Sequence, residues 1–170
     1  MNVSTRANGF VFSTMVLLLV TAGALYQSSN VLAQSDDNDG IINLNQPLYS
    51  EHFKLTSQKA VVINGTEAIE ATFSGNGTTN GIRITSNGHG FIIPRAGGVV
   101  YITGKADFVT TPQSSGKATY AFQAIGNYGI ALFNPNATGN LSFLSNAVAV
   151  YKVDMNSNGT NTFTMWKWGK

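Results

Sequence analysis

Cysteine is absent from this chain of 170 residues, and imidazole is nearly so, with only His52 and His89. Without thiols no disulfide can staple the fold, and a structural zinc site or a His–His–Cys copper centre lacks its ligands. Charge is scarce too. Acidic and basic side chains make up 11% of the residues and leave a net charge of +2. No basic stripe is present for nucleic acid or anionic lipid to recognise. Catalytic signatures are missing as well: no Gly-x-Ser-x-Gly, no His-Glu-x-x-His and no phosphate-loop Gly-Lys-Ser/Thr occurs. The run "GNGTTNG", Gly75 to Gly81, has its third glycine one residue too late for a dinucleotide fingerprint. "SDDND", Ser35 to Asp39, lacks the spacing and final glutamate of an EF-hand. No cofactor and no metal is expected.

What is present begins with a leader. A short polar segment carrying Arg6 precedes the apolar run "FVFSTMVLLLVTAGALY", Phe10 to Tyr26, and then "QSSNVLA" offers Val31 and Ala33 before Gln34. A basic start, an apolar middle and small residues before a cut describe a secretory signal peptide over residues 1–33. The run is shorter than the roughly 20 residues of a spanning helix. An uncleaved anchor through residues 10–26 is the alternative, and the only membrane contact expected. Cleavage would remove one cation and no acid, taking the net charge from +2 to +1. Residues 34–47, with Asp36, Asp37 and Asp39, read as a flexible acidic linker to an all-β domain over residues 48–170.

In that domain apolar and polar residues alternate over short runs. "EHFKLTS" sets Phe53 and Leu55 against His52, Lys54 and Thr56, and "EAIEATFS" sets Ile69, Ala71 and Phe73 against Glu70, Thr72 and Ser74. "VVYITGKADFVT" sets Val100, Ile102, Ala106 and Phe108 against Tyr101, Thr103, Lys105 and Asp107. "KATYAFQAI" sets Ala118, Tyr120, Phe122 and Ala124 against Lys117, Thr119 and Gln123. Period two with β-branched and aromatic content predicts strands. Asn-Gly pairs at 64–65, 76–77, 80–81, 87–88 and 158–159 predict tight hairpin turns. About eight strands in an antiparallel meander follow, ending in a hairpin around residues 156–159. With one apolar face per strand and no helix to cover the other, the sheet must close as a small barrel or stack as a two-sheet sandwich. Small residues (Ala106, Ala118, Ala124, Ala147, Ala149) alternate with large ones (Phe108, Tyr120, Phe122, Tyr151) in the inward sets, which favours the barrel.

Candidate sites are few. In "NGHGFIIPRAGGVVYITGKA" the plain reading is a turn at Asn87–Gly88, a strand opening at His89, and a loop topped by Arg95 after Pro94. The sharper reading puts Arg95 at a barrel mouth, facing an anionic ligand or an internal carboxylate. Glu67 and Glu70 fall on opposite faces and make a poor acid/base pair, while Asp107 and Lys105 share the outward face as an ion pair. Trp166 and Trp168 point the same way, opposite Met165 and Lys167, and form either a sugar-binding platform or part of the core. Sequons at Asn64, Asn76, Asn136, Asn140 and Asn158 are candidate glycosylation sites on surface loops. Arg95, Tyr120, Phe122, Tyr151, Trp166 and Trp168 are therefore the candidate ligand-binding residues.

Leader, low charge and Asn/Thr/Gly-rich strands, with "GHGFIIPRAGGVVYITGKA" and "NGTNTFTMWKW", make the chain similar to small secreted archaeal proteins of unknown function. The C-terminal half, "ATGNLSFLSNAVAVYKVDMNSNGTNTFTMWKW", resembles the closing strands of allene-oxide-cyclase-like barrels, where a Gly-x-Leu-x-x-Leu turn precedes a long hairpin. That resemblance implies a barrel and, for some members, isomerisation of lipophilic molecules. It carries no catalytic residue onto this chain. The reading that results is an exported, secreted or cell-surface β-barrel that is not an enzyme and binds a small apolar ligand or belongs to the cell envelope. The alternatives are a barrel-type isomerase acting on a lipophilic substrate, or a carbohydrate-binding or adhesion module that uses Trp166 and Trp168 on a surface glycan.

Overall fold

The computed structural model describes residues 44–111, 115–156 and 160–169. The leader, most of the acidic linker and the turn holding Asn158 lie outside the described residues. Eight strands follow one another: β1 (Tyr49–Ile63), β2 (Thr66–Thr79), β3 (Ile82–Pro94), β4 (Val100–Thr110), β5 (Lys117–Ile125), β6 (Tyr128–Phe133), β7 (Val148–Asp154) and β8 (Asn161–Trp168). Each pairs antiparallel with the next, and β8 returns to β1 through the register Tyr49↔Met165 to Phe53↔Asn161. The sheet is thus a closed barrel and not a sandwich. Closure satisfies the edges that an open sheet would expose, and it does so without a covalent staple.

Two of the expected turns form as read. Asn64–Gly65 and Asn80–Gly81 both have positive φ, 49° and 78° in the first and 47° and 76° in the second. That is the backbone a two-residue hairpin requires. Asn76–Gly77 and Asn87–Gly88 do not turn the chain; they lie inside β2 and β3. Their glycines serve close packing instead. A Cβ at Gly77 would overlap Glu51, and one at Gly88 would overlap the Phe73 ring. His89 consequently sits in the middle of β3, not at its start, on the outward face.

Over much of the interior a bulky inward side chain lies opposite a small one on the adjacent strand, although Tyr120 faces Phe133 and Tyr151 faces Met165. Phe122 pairs with Gly104 and Ala131, Tyr120 with Ala106, Phe108 with Ala118 and Ser86, and Tyr151 with Gly129. The rings interlock, with centroids 4.3 Å apart for Tyr49–Phe108, 5.0 Å for Phe108–Tyr120 and 5.0 Å for Tyr120–Phe133. One end of the barrel is closed by the 3₁₀ turn Gly139–Leu144, whose Leu141 and Leu144 are buried against the core. At the other end Phe53, Phe73, Ile102 and Val153 pack on that core but stay partly exposed. That end is the mouth.

Candidate functional site

Inside the barrel, below the mouth, stands a carboxyl group. Glu51 lies on the inward face of β1 between Tyr49 and Phe53 and is only 3% exposed. The Tyr49 hydroxyl donates to Glu51 Oε2 at 2.7 Å, and the Ser86 hydroxyl donates to the same oxygen. The backbone of β2 leaves room for the acid: a Cβ at Gly75 or Gly77 would collide with it. Above it, towards the mouth, Phe53, Phe73 and Phe122 form an edge-to-face chain with centroids 5.8 Å and 5.9 Å apart.

Burial raises the pKa of Glu51, because desolvation penalises the carboxylate more than the Ser86 and Tyr49 donors repay it. Burial likewise keeps the Tyr49, Tyr120 and Tyr151 phenols protonated, with the Glu51 charge adding to the effect at Tyr49 and Tyr120. Among the described residues no fully enclosed polar side-chain atom lacks a hydrogen bond. Yet the Tyr120 and Tyr151 hydroxyls and the second Glu51 oxygen meet no hydrogen-bonding partner there. All three residues face inward and are at most 3% exposed. An inward-facing acid and phenols are groups that can orient a ligand through donated and accepted hydrogen bonds.

The raised pKa sets a pH dependence. The folded protein holds the Glu51 proton to higher pH than the unfolded chain, so this group's contribution to stability is greatest below the ordinary glutamate value of 4.5. It declines as pH rises through the folded pKa. Thermal melts from pH 4 upwards should show that decline, and Glu51→Gln, which carries no proton to lose, should flatten it. An identical slope in the variant would show that other groups set the dependence.

The residues singled out from the sequence are dispersed. Tyr120, Phe122 and Tyr151 face the lumen and are buried. Arg95 does not meet the internal carboxylate; it is exposed on the 95–99 loop with its guanidinium 5.4 Å above the Tyr101 ring. Trp166 and Trp168 stand on the outer face of β8, opposite Met165, which points into the core. The Trp166 indole donates to the Leu44 carbonyl at 2.9 Å, and Trp168 is exposed beside Val148. Asp107 pairs with Lys117 at 3.8 Å and accepts from Thr119, not from Lys105, because the register sets Asp107 opposite Thr119 and Lys105 opposite Ala121. Of the sequons, Asn64, Asn136 and Asn140 lie on exposed turns, whereas Asn76 is exposed within β2 and accepts from Thr85.

A second concavity lies on the outer wall, about 500 Å³ in volume, between His89, Phe91, Lys105, Ala121, Ile130 and Leu132. On its β3 side the His89 Nε2 is 2.8 Å from Glu70 Oε1. Both side chains are substantially exposed, so this is a surface contact worth about 1 kcal/mol or less.

Glu51, Tyr49 and Ser86 were not singled out from the sequence. The signal was there for two of them: the period that turns Phe53 inward also turns in Glu51 and Tyr49. A lone carboxylate on an apolar stripe is the mark of a buried acid. Ser86 had no such mark, since its partner lies 35 residues away.

Fold and site together define an eight-stranded antiparallel β-barrel with a protonatable group in its lumen. No family model and no curated protein matches the chain. Solved structures do. A beta-barrel-like protein from Acinetobacter baumannii AYE is 12% identical over 78% of this chain and 99% of its own, with a TM-score of 0.60. An enzyme from Penicillium herquei is 17% identical over 78% and 98%, at 0.59. A protein of unknown function from Clostridium acetobutylicum is 10% identical over 72% and 96%, at 0.57. At these identities the likeness is one of fold.

Proposed function

We propose that this protein is an exported barrel that binds a small, largely apolar molecule in its lumen. The observation that carries the reading is the set of lumen-facing polar atoms without a protein partner, Tyr120, Tyr151 and the second Glu51 oxygen, beneath a partly exposed aromatic mouth. An interior meant only to hold the fold together would be served by apolar side chains, since a buried acid costs desolvation energy. The apolar walls supply affinity and the few polar groups fix orientation, which is the general composition of ligand sites. Export rests on the leader read in residues 1–33.

The sugar-platform reading has less support. Trp166 already spends its indole N–H on the Leu44 carbonyl, and the outer-face neighbours of the two tryptophans across the ladder are Val148 and Val150. Sugar hydroxyls would find few polar partners there. Isomerase chemistry would need a group that moves a proton, and among the described residues Glu51 is the lumen group suited to it.

Native mass spectrometry of the protein recovered from the culture medium tests the reading. The expected result is a chain beginning at Gln34 with a co-purifying small molecule that is released on denaturation. A chain retained in the cytoplasm with its leader intact would refute export. An empty barrel that also takes up no hydrophobic probe would refute lumen binding.

A further inference from the structure

The lumen contains an acid and no base. Among the described residues every lysine, arginine and histidine is exposed, apart from Lys152, which is half-buried and paired with Asp154 at 2.7 Å. Tyr49 on β1 and Ser86 on β3 donate to Glu51, and Tyr120 on β5 lies near enough to feel its charge, while β8 sets Phe163 opposite Glu51 and the buried amide Asn161 opposite Phe53. At that level β2, β4 and β6 contribute only glycine, alanine and phenylalanine: Gly75 and Gly77, Ala106 and Phe108, Ala131 and Phe133. Two hydroxyls donate to one carboxylate oxygen and leave the other without a protein partner. Towards the mouth from Glu51 stand the Phe53, Phe73 and Phe122 rings.

From this arrangement we infer that the lumen selects a lipophilic amine, held as an ammonium ion between Glu51 and the aromatic collar. The inference rests on the lumen-binding reading above and narrows it to one charge class. Three physical terms favour a cation. A carboxylate already held by two donors is oriented to accept a third from an N–H group. Ring faces attract a cation through their quadrupole, and more strongly where water is excluded. A buried acid with no basic partner also gains most from a cation supplied by the ligand. A carboxylate ligand would meet the Glu51 charge with no base to neutralise either, so fatty-acid-like molecules are disfavoured. A neutral alcohol keeps the apolar contacts and loses the charge term.

Three probes with one aromatic body separate these cases: 2-phenylethylamine, 2-phenylethanol and phenylacetate, each titrated calorimetrically into the full chain at pH 7.5. The amine is expected to bind at least tenfold more tightly than the alcohol, and phenylacetate should show no saturable binding. Glu51→Gln should bring amine and alcohol within about twofold of each other, chiefly by loss of amine affinity. Ser86→Ala removes one donor but keeps the charge, so it should retain the preference for the amine. At pH 5, where part of the Glu51 population carries a proton, amine binding should release protons into the buffer and alcohol binding should not. That measurement needs no variant. Equal affinity for amine and alcohol, or tightest binding of phenylacetate, overturns the amine assignment and leaves lumen binding standing. A tenfold preference surviving in Glu51→Gln does the same. Failure of all three probes to bind overturns both.

Discussion

Gly104→Val should destabilise the protein severely. Gly104 on β4 faces Gly90 on β3 and Phe122 on β5. A Cβ there would come within 2.5 Å of Phe122 Cζ and 2.7 Å of the Gly90 Cα, and closer still to the His89 carbonyl oxygen. Two of those three atoms are backbone in a hydrogen-bonded neighbouring strand, so no rotamer change relieves the contact. Overpacking of this kind costs about 3 kcal/mol or more. A domain whose whole stability is roughly 5–15 kcal/mol would lose a large share of it. The measurement is the urea midpoint followed by circular dichroism, with soluble yield beside it. Lys105→Val, one residue along and exposed on the outer face, is the control and should stay within about 0.5 kcal/mol. Adding Phe122→Leu to Gly104→Val should recover only part of the loss, because the backbone contacts remain. A Gly104→Val protein as stable as the control variant would mean that β3 and β4 are not held as closely as their glycines imply.

The same glycines show what a single sequence can and cannot disclose. The alternation in β4 and β5 is legible because most inward residues there are apolar and most outward ones polar, and the small-with-large pattern in those strands favours a barrel. Asn-Gly is ambiguous by chemistry. At Asn64 and Asn80 it supplies two positive φ angles, whereas at Asn76 and Asn87 the glycine is where a neighbour's side chain must lie. Local composition cannot separate these uses, because the deciding atom belongs to another strand. The candidate site divides in the same way. Tyr120, Phe122 and Tyr151 were found because they share the inward face with alanine. Glu51 obeys the same period but is charged, and a charge at the head of a strand looks like solvent-facing polarity unless the period is followed one step further back. Arg95 stands on the loop that follows Pro94, but its guanidinium lies over Tyr101 and not over the internal acid.

The centre of the lumen can be tested apart from its mouth. Phe108→Ala should destabilise the protein by about 3–5 kcal/mol, the range for losing a fully enclosed aromatic ring. Phe108 is 1% exposed and touches the rings of Tyr49, Tyr120 and Phe133 at centroid distances of 4.3, 5.0 and 5.8 Å. Each of those rings is anchored to a different strand of a closed sheet, so none can move in to fill the space without shifting the barrel. The urea midpoint should fall by about 2 M at an m-value typical of a small domain. Phe143→Ala, at a ring 42% exposed on the 3₁₀ turn, should change it by less than about 0.5 kcal/mol. The Phe108 variant also bears on the acid. Tyr49 stacks against Phe108 and donates to Glu51, so a loosened Tyr49 weakens one of the two hydrogen bonds that oppose burial. The decline of stability with pH attributed to Glu51 should then extend to higher pH in Phe108→Ala than in the parent. An unchanged pH profile beside a large loss of stability would mean that Ser86 alone holds the carboxyl group in place.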